Sequence, residues 1–330
     1  MSAPESTDWT ISTLKGMPEA DVLGRIRTLA SAAEESDGNP PLSEQTLVEL
    51  KTNDDPDALL GAYAYLSDGE LHDSAELLGL AVALQPRSSG GSGTLEIVVH
   101  PDYRNDGIGA ALLSAVGART DLGGLHAWSH GNHEAAARLA EENGFVPVRE
   151  LWRMRLVHTR DAGAARLPDG VSIRPFVPGR DEDTWLAANA AAFAAHAEQG
   201  SMTRSDLDAR MAEDWFDPSG FLLAVDREDR ILGFHWTKVH PAVKNPRTGD
   251  HQALGEVYVV GVLPQAQGTG LGKALTLAGI EHLRAKGLEA VMLYVDADNT
   301  AAVELYRKLG FTRWDVDVMY AAAPAAATGA

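Results

Sequence analysis

Residues 257–273 read VYVVGVLPQAQGTGLGK, and this stretch decides the fold. Its first six residues are apolar at nearly every position, as in a strand buried on both faces. A proline follows, and Gly268, Gly270 and Gly272 lead directly into Leu271, Ala274, Leu275 and Ala278, which fall at helical spacing. Glycines let the backbone approach a ligand closely, and the unpaired N–H groups of a helix start favour an anion. The loop therefore reads as a diphosphate cradle. Neither common nucleotide motif explains it. The glycines are not spaced G-x-G-x-x-G with an acidic ribose ligand beyond, and no Gly-Lys-Ser/Thr is present.

The same sentence is written twice. Residues 95–109 read LEIVVHPDYRNDGIG: apolar strand, proline, polar residues, then Arg104 in place of Gln267 and Gly107 and Gly109 in place of Gly270 and Gly272. Ile108, Ala111, Leu112 and Ala115 repeat the helical stripe. Farther on, NHEAAARLAEENGF at 132–145 lines up with NTAAVELYRKLGF at 299–311, with one extra residue in the first copy. Each reads as a helix closed by a Gly cap and followed by a strand. Two copies of strand, Gly loop, helix, strand, helix and strand imply two α/β domains of similar fold.

The polar stretch 158–170, HTRDAGAARLPDG, separates them. The expected division is a first domain at 1–160, a linker at 161–170, a second domain at 171–320 and a frayed tail at 321–330 (AAAPAAATGA). Residues 171–176 start a fresh strand, 221–225 and 231–239 form a hairpin, and the Ala-rich helical segment 180–216 suits a substrate-facing role. Residues 88–93, SSGGSG, read as a flexible loop.

Composition sets the outer limits. A chain of 330 residues, 45% hydrophobic and 23% charged, suits two soluble domains with sizeable cores. No apolar run approaches the roughly 18 residues a membrane span needs, and no secretory signal is visible. The absence of cysteine excludes disulfides, thiolate metal sites and a cysteine nucleophile, and fits the cytoplasm. A net charge of −19 argues against wrapping nucleic acid but suits a cationic small substrate. No membrane, nucleic-acid or obligate protein partner is expected.

The pattern Gln/Arg-x-x-Gly-x-Gly, with Asn299, Leu305-Tyr306 and Leu309-Gly310-Phe311 downstream, resembles the GCN5-related N-acetyltransferase (GNAT) family. The resemblance implies an α/β fold of two tandem GNAT-like domains, each a mixed central sheet flanked by helices. It also implies acetyl-CoA as acetyl donor, with one copy conceivable per domain. The cofactor stretches in the second domain would be Val260, Gly261 and Val262 on the strand and Ala266, Gln267, Gly268, Thr269, Gly270, Leu271, Gly272 and Lys273 in the loop. Asn299, Thr300, Ala301, Ala302, Val303 and Glu304 would follow at the later helix. In the first domain the matching residues are Ile97, Val98 and Val99, then Arg104, Asn105, Asp106, Gly107, Ile108 and Gly109.

An ammonium must lose a proton before it attacks a thioester, and Glu256 matches the family's base. Tyr306 matches the acid that would protonate the leaving thiolate, and a backbone N–H near Val260 to Val262 would steady the carbonyl oxygen. The strings GFHWTKVHP, GEVYVVGV and LYVDADNTAAVELY resemble one tandem branch of the family. That likeness implies acetylation of the cysteinyl amine of a cysteinyl-glucosaminyl-inositol. Glu198, Lys238, Tyr294 and Glu256 would contact this small-molecule amine, and Glu44 would mean that both domains shape the pocket.

In the first copy, Tyr306 falls opposite Ala140 when the Gly-Phe pairs are superposed, and Glu256 opposite Gly93 when the prolines are. The first domain is therefore expected to bind acetyl-CoA without catalysing transfer. His126, His130 and His133 are spaced like metal ligands but form no His-Glu-x-x-His pattern, so no metal is expected. His196, His235, His240 and His251 read as pocket or surface histidines. Two alternatives stay open: the same fold acting on another small amine or a protein N-terminus, and an acetyl-CoA-binding module without turnover.

Overall fold

A computed structural model describes residues 8–66, 75–86, 91–157, 166–194, 197–244 and 251–323. The chain packs into two compact units, Met1–Leu151 with Asp315–Ala330, and Trp152–Lys244 with His251–Trp314. The change of unit at Leu151 precedes the polar stretch at 158–170, part of which lies outside the described residues.

The first unit begins with β1 (Trp9–Lys15), α1 (Ala20–Asp37), α2 (Glu44–Thr52), β2 (Leu59–Leu66), β3 (Leu77–Leu84) and β4 (Gly93–Val99). It continues with α3 (Ile108–Gly117), β5 (Leu125–Ser129), α4 (Glu134–Glu142) and the start of β6 (Phe145–Val157). Strands β1 to β4 pair antiparallel in chain order, and β4 pairs parallel with β5. Strand β3, LLGLAVAL, is buried at every position because helices cover both faces. Ile26, Leu29 and Ala33 of α1 recur at helical spacing on one face, and Leu112 and Val116 of α3 pack on the other.

The second unit repeats the plan with β7 (Ser172–Pro175), α5 (Glu182–Ala192), α6 (Ala197–Gly200), α7 (Arg204–Met211), β8 (Phe221–Val225) and β9 (Ile231–Lys244). Next come β10 (His251–Val262), α8 (Leu271–Ala285), β11 (Ala290–Asp296), α9 (Thr300–Lys308) and β12 (Thr312–Ala322). Strands β7 to β10 are antiparallel, and β10 runs parallel to β11. One face carries an aromatic core in which Trp185 of α5 meets Phe221, Phe234 and Trp236 edge-on, at 5.2–5.8 Å between centroids. Full burial of such a side chain contributes about 1.5–3 kcal/mol. The opposite face is sealed by α8 and α9 through Ile280, Leu283, Val303 and Tyr306.

The last strand of each sheet comes out of sequence order. In the first unit the end of β12 pairs antiparallel with β5, Val318 opposite Ser129 and Ala321 opposite His126. In the second, the end of β6 lies beside β11, with Met154 and Leu156 in the core. The segment expected as a tail therefore opens inside a strand, because Ala321 and Ala322 complete β12. Residues 324–330, and residues 88–90 of the expected Ser/Gly loop, lie outside the described residues.

Candidate active site

The site is built where β10 and β11 part. Their described parallel register runs from Gly255↔Val291 to Val257↔Leu293, although the strands continue to Val262 and Asp296. At the same point β10 takes an extra residue against β9: Val257 faces Thr237, but Val259 faces Trp236. Such a bulge bends a strand and re-aims its side chains. Val260, Gly261 and Val262 thus stay paired with β9 on one edge and turn the other edge to the opening.

The loop beyond has the backbone that its glycines require. Gly268 and Gly270 lie at φ 77° and 85°, a region that side-chain-bearing residues rarely adopt. Gly270 is the N-cap of α8 and has no side chain to satisfy the first amides, so they remain for an outside anion. Gln267 ties the loop back to the strand, its Nε2 donating to Val262 O at 3.1 Å, while Thr269 Oγ1 donates to Ala266 O at 2.7 Å. Exposed Lys273 adds positive charge in the first helical turn. These residues fit the diphosphate of acetyl-CoA, and Gly272 keeps the helix start slim beside Val262.

Helix α9 differs. Asn299 caps it with its own side chain, which accepts from Ala302 N at 3.2 Å. Thr300, Ala301 and Glu304 are exposed, whereas Val303 is turned into the core.

Glu256 lies on β10 directly opposite Lys238 of β9, and His240 is the next residue of β9 on the same face. Glu256 is buried, the residue as a whole 5% exposed, and its Oε2 is 2.6 Å from His240 Nε2. Burial alone would push the carboxyl up. The hydrogen bond from His240 and the charges of His240, Lys238 and Arg153 outweigh it and hold Glu256 below the usual carboxylate value. The Lys238 ammonium sits 4.4 Å from the Trp215 ring centroid and 5.3 Å from that of Tyr258. Arg210 of α7 donates from Nε to the Tyr258 hydroxyl at 2.9 Å. The Arg153 guanidinium lies over Tyr294 and Trp314, 5.7 and 4.8 Å from their centroids.

Tyr306 approaches from the other side of the sheet, in the α8–α9 core against Phe311. Burial pushes its hydroxyl up to about 12, so it stays protonated at neutral pH. The opening between β10 and β11 thus has a carboxylate on one face and a phenol on the other.

Of the expected substrate residues, Lys238 and Glu256 are brought together, and Tyr294 joins them through Arg153. Glu198 falls in α6, but its side chain lies outside those described. Glu44 opens α2 in the other unit, beside the Ser43 cap. Sequence reading missed Arg153, Trp215, Tyr258 and Arg210, and it gave His240 only as a pocket or surface histidine, with no role. Only for His240 was a signal present: it follows Lys238 by two in HWTKVH, which on a strand means the same face.

The first unit carries the same cradle. The β4–β5 register ends at Glu96↔Trp128, leaving Ile97, Val98 and Val99 beyond it. Asn105 and Gly107 take φ 70° and 82°, and Gly107 caps α3. Arg104 Nε donates to Val99 O at 3.2 Å, as Gln267 does to Val262, and its guanidinium is clamped by Asp37 at 2.7 and 2.8 Å.

Two sequence alignments need correction. The N-caps of the later helices are His133 and Asn299, so the copies match without an insertion, and Asn132 instead accepts a hydrogen bond from Tyr320 at 2.9 Å. The bulge in β10 has no counterpart in β4, which makes Thr94, not Gly93, the equivalent of Glu256. The histidines do not converge. His126 lies on β5, His133 is 3.5 Å from Asp37, and His130 is held between Glu96 (2.9 Å) and Asp317 (3.1 Å). Among the described residues no cluster is arranged to hold a metal.

Sheet, split and glycine cradle define a tandem acetyltransferase of the GNAT class. Residues 189–311 match the model of the "Acetyltransferase (GNAT) family", and residues 70–147 that of an "Acetyltransferase (GNAT) domain". A tandem GNAT protein of the clavulanic acid biosynthesis pathway has the same fold, with TM-score 0.67 and 20% identity over 96% of this chain and all (100%) of that one. A GCN5-related N-acetyltransferase from Sphaerobacter thermophilus gives TM-score 0.64 at 23% identity, covering 97% and 96%. Similarity in sequence goes further. The mycothiol acetyltransferase of Paenarthrobacter aurescens is 58% identical over 97% of this chain and 98% of its own. That of Thermobispora bispora is 53% identical over 89% and 94%. The chain belongs to the mycothiol acetyltransferase family, and it is an N-acetyltransferase that takes its acetyl group from acetyl-CoA. No helix among the described residues is long and apolar enough to cross a membrane.

Proposed function

We propose that the chain acetylates the cysteinyl amine of cysteinyl-glucosaminyl-inositol, giving mycothiol in the final step of its biosynthesis. The observation that carries this reading is the 58% identity, over nearly the whole of both chains, to a mycothiol acetyltransferase. When bound, acetyl-CoA supplies the thioester carbonyl that the amine attacks. Glu256, kept ionised by its neighbours, takes the proton from the substrate ammonium, directly or through a water. A backbone N–H in the 260–262 stretch, on the open edge of β10, meets the negative charge that develops on the carbonyl oxygen. Tyr306, protonated in its buried position, gives a proton to the departing sulfur. The loop from Ala266 to Lys273 holds the diphosphate, with the start of α9 flanking it.

Lys238 and Tyr294, with Glu198, contact the pseudodisaccharide in this reading, where carboxylates suit hydroxyl and ammonium groups. The first domain binds a second acetyl-CoA through its own cradle and does no chemistry. The enzyme works in the cytoplasm on a small-molecule substrate.

The test is acetyl transfer by the full chain, with products identified by mass. Acetyl-CoA is offered with cysteinyl-glucosaminyl-inositol and, separately, with a panel of other small amines and peptide N-termini. Strong preference for the pseudodisaccharide is expected. Equal or better turnover of another amine overturns the acceptor assignment.

A further inference from the structure

The carboxylate at the centre of the site is gripped by one oxygen only. Among the described residues, Glu256 has a single hydrogen-bond partner, His240, and the bond is made to Oε2. Its Oε1 has no described partner, yet it is not among the sealed, unpaired polar atoms of the interior. One oxygen is anchored and the other is left accessible. We infer that His240 is the positioning residue of this site: by holding Oε2, it presents Oε1 to the incoming amine. This rests on Glu256 being the base.

The placement follows from strand geometry. Lys238 is the direct cross-strand neighbour of Glu256, and His240 is the diagonal one. The His240 side chain is 28% exposed and that of Glu256 only 7%, so the imidazole lies toward solvent from the carboxylate it binds. A carboxylate with rotational freedom would spend much of its time misaligned, and misplacement of about 1 Å costs about 10²-fold in rate. Other neighbours do not supply the same restraint. Lys238 and Arg153 act on Glu256 through charge, Met292 of β11 lies opposite it without charge, and Arg210 of α7 is engaged by Tyr258.

The step served is balanced. The ammonium gives one proton to Glu256 and the amine attacks the carbonyl; as the N–C bond forms and the C–S bond breaks, Tyr306 gives its proton to the sulfur, which leaves as a thiol, and the second proton lost by the nitrogen restores Tyr306. His240 touches none of the reacting atoms.

The experiment uses the full chain with His240→Ala, His240→Gln and Glu256→Gln, and records kcat, KM for acetyl-CoA and the pH dependence of kcat. His240→Ala is expected to lower kcat about 10–100-fold, leave KM for acetyl-CoA unchanged and move the acid limb of the profile to higher pH. His240→Gln keeps an N–H donor and is expected to recover most of the rate. Undiminished acetyl-CoA binding serves as the folding control for each variant. Wild-type kcat and acid limb in His240→Ala overturn the inference. So does a loss of rate with an unmoved limb and no recovery in the Gln variant, the mark of a merely structural histidine. Full turnover by Glu256→Gln would instead sink the assignment of the base, a separate failure.

Discussion

The two glycine loops have nearly one backbone and two chemistries. Gly268 and Gly270 at φ 77° and 85° correspond to Asn105 and Gly107 at 70° and 82°. In both, the first loop side chain, Gln267 or Arg104, donates to the carbonyl that ends the strand. The side chains around this frame diverge. Gln265, Thr269 and Lys273 in the second loop face Asp102, Asp106 and Ala110 in the first. Thr94 and Ala140 stand where Glu256 and Tyr306 do the proposed chemistry. The first domain does have a carboxylate on the same strand, Glu96, but Ser43 N and His130 saturate it at 2.9–3.2 Å and it is 1% exposed. A cradle made of backbone survives wide sequence change, whereas catalysis hangs on a few side chains that a duplicate can lose.

The largest expected effect tests that asymmetry. Glu256→Gln should lower kcat about 10²–10⁴-fold, with KM for acetyl-CoA little changed, because the cradle is untouched. Tyr306→Phe should follow the same pattern with a smaller loss. Thr94→Glu should create no activity from the first domain. Since Glu256 is held below its ordinary value of 4.5, the wild-type acid limb should fall below that pH, the base remaining ionised as pH drops toward it. Equal kcat in Glu256→Gln and wild type would erase the distinction between the domains.

Next comes the buried triad of the first domain, Glu96, His130 and Asp317. Burial opposes a charged His130, but hydrogen bonds to Asp317 and Glu96 and their charges prevail and raise it to about 10. Removing one partner from such a buried group costs about 3–5 kcal/mol. His130→Ala should therefore loosen the end of β12 from β5, seen as a lowered Tm. Because the folded value is the raised one, the stabilisation is complete below the unfolded value, near 6.5, and is lost as pH rises through about 10. A Tm difference between wild type and His130→Gln that stays constant from pH 6 to 10 would refute the charged triad.

A smaller effect separates the cradles. Valine at position 270 must take a left-handed backbone, at a cost of about 1–3 kcal/mol, and it would also crowd the anion. Gly270→Val should weaken acetyl-CoA binding about 10–100-fold and lower turnover at sub-saturating cofactor by about the same factor. Gly107→Val should remove only the binding stoichiometry of the first domain and leave kcat intact. Calorimetric titration of both variants checks this.

Much of this frame was legible because it is local. An apolar run, a proline and glycines at fixed offsets specify strand, turn and helix wherever they occur, so both cradles could be read from residues 95–109 and 257–273. What escaped is what local pattern does not encode. A bulge adds one residue to β10 with no mark in the apolar run, and it moves the partner of Glu256 from Gly93 to Thr94. Strand periodicity says that β12 is a strand but not that it pairs with β5. His133 is an uncommon cap and Asn132 a common one, so propensity chose the wrong neighbour. Arg153 reaches the site from β6, more than a hundred residues before Glu256, and only the folded sheet brings its charge there.

The last prediction concerns charge alone. If the shared backbone sets most of the affinity, the acidic side chains of the first loop should merely trim it. A carboxylate near a helix N-terminus competes with a bound anion, and a nearby ammonium supports it, each by about 0.3–1 kcal/mol at low ionic strength. Asp106→Thr with Ala110→Lys gives the first loop the second loop's Thr269 and Lys273, and should tighten acetyl-CoA binding there about 3–30-fold. Titration is best done in Gly270→Val, so that the first domain reports alone, and repeated at high salt, where screening should shrink the gain. A gain that persists in high salt would point to contact rather than field. No gain at all would mean that the backbone amides already set the affinity, and that the two loops differ less in function than their side chains suggest.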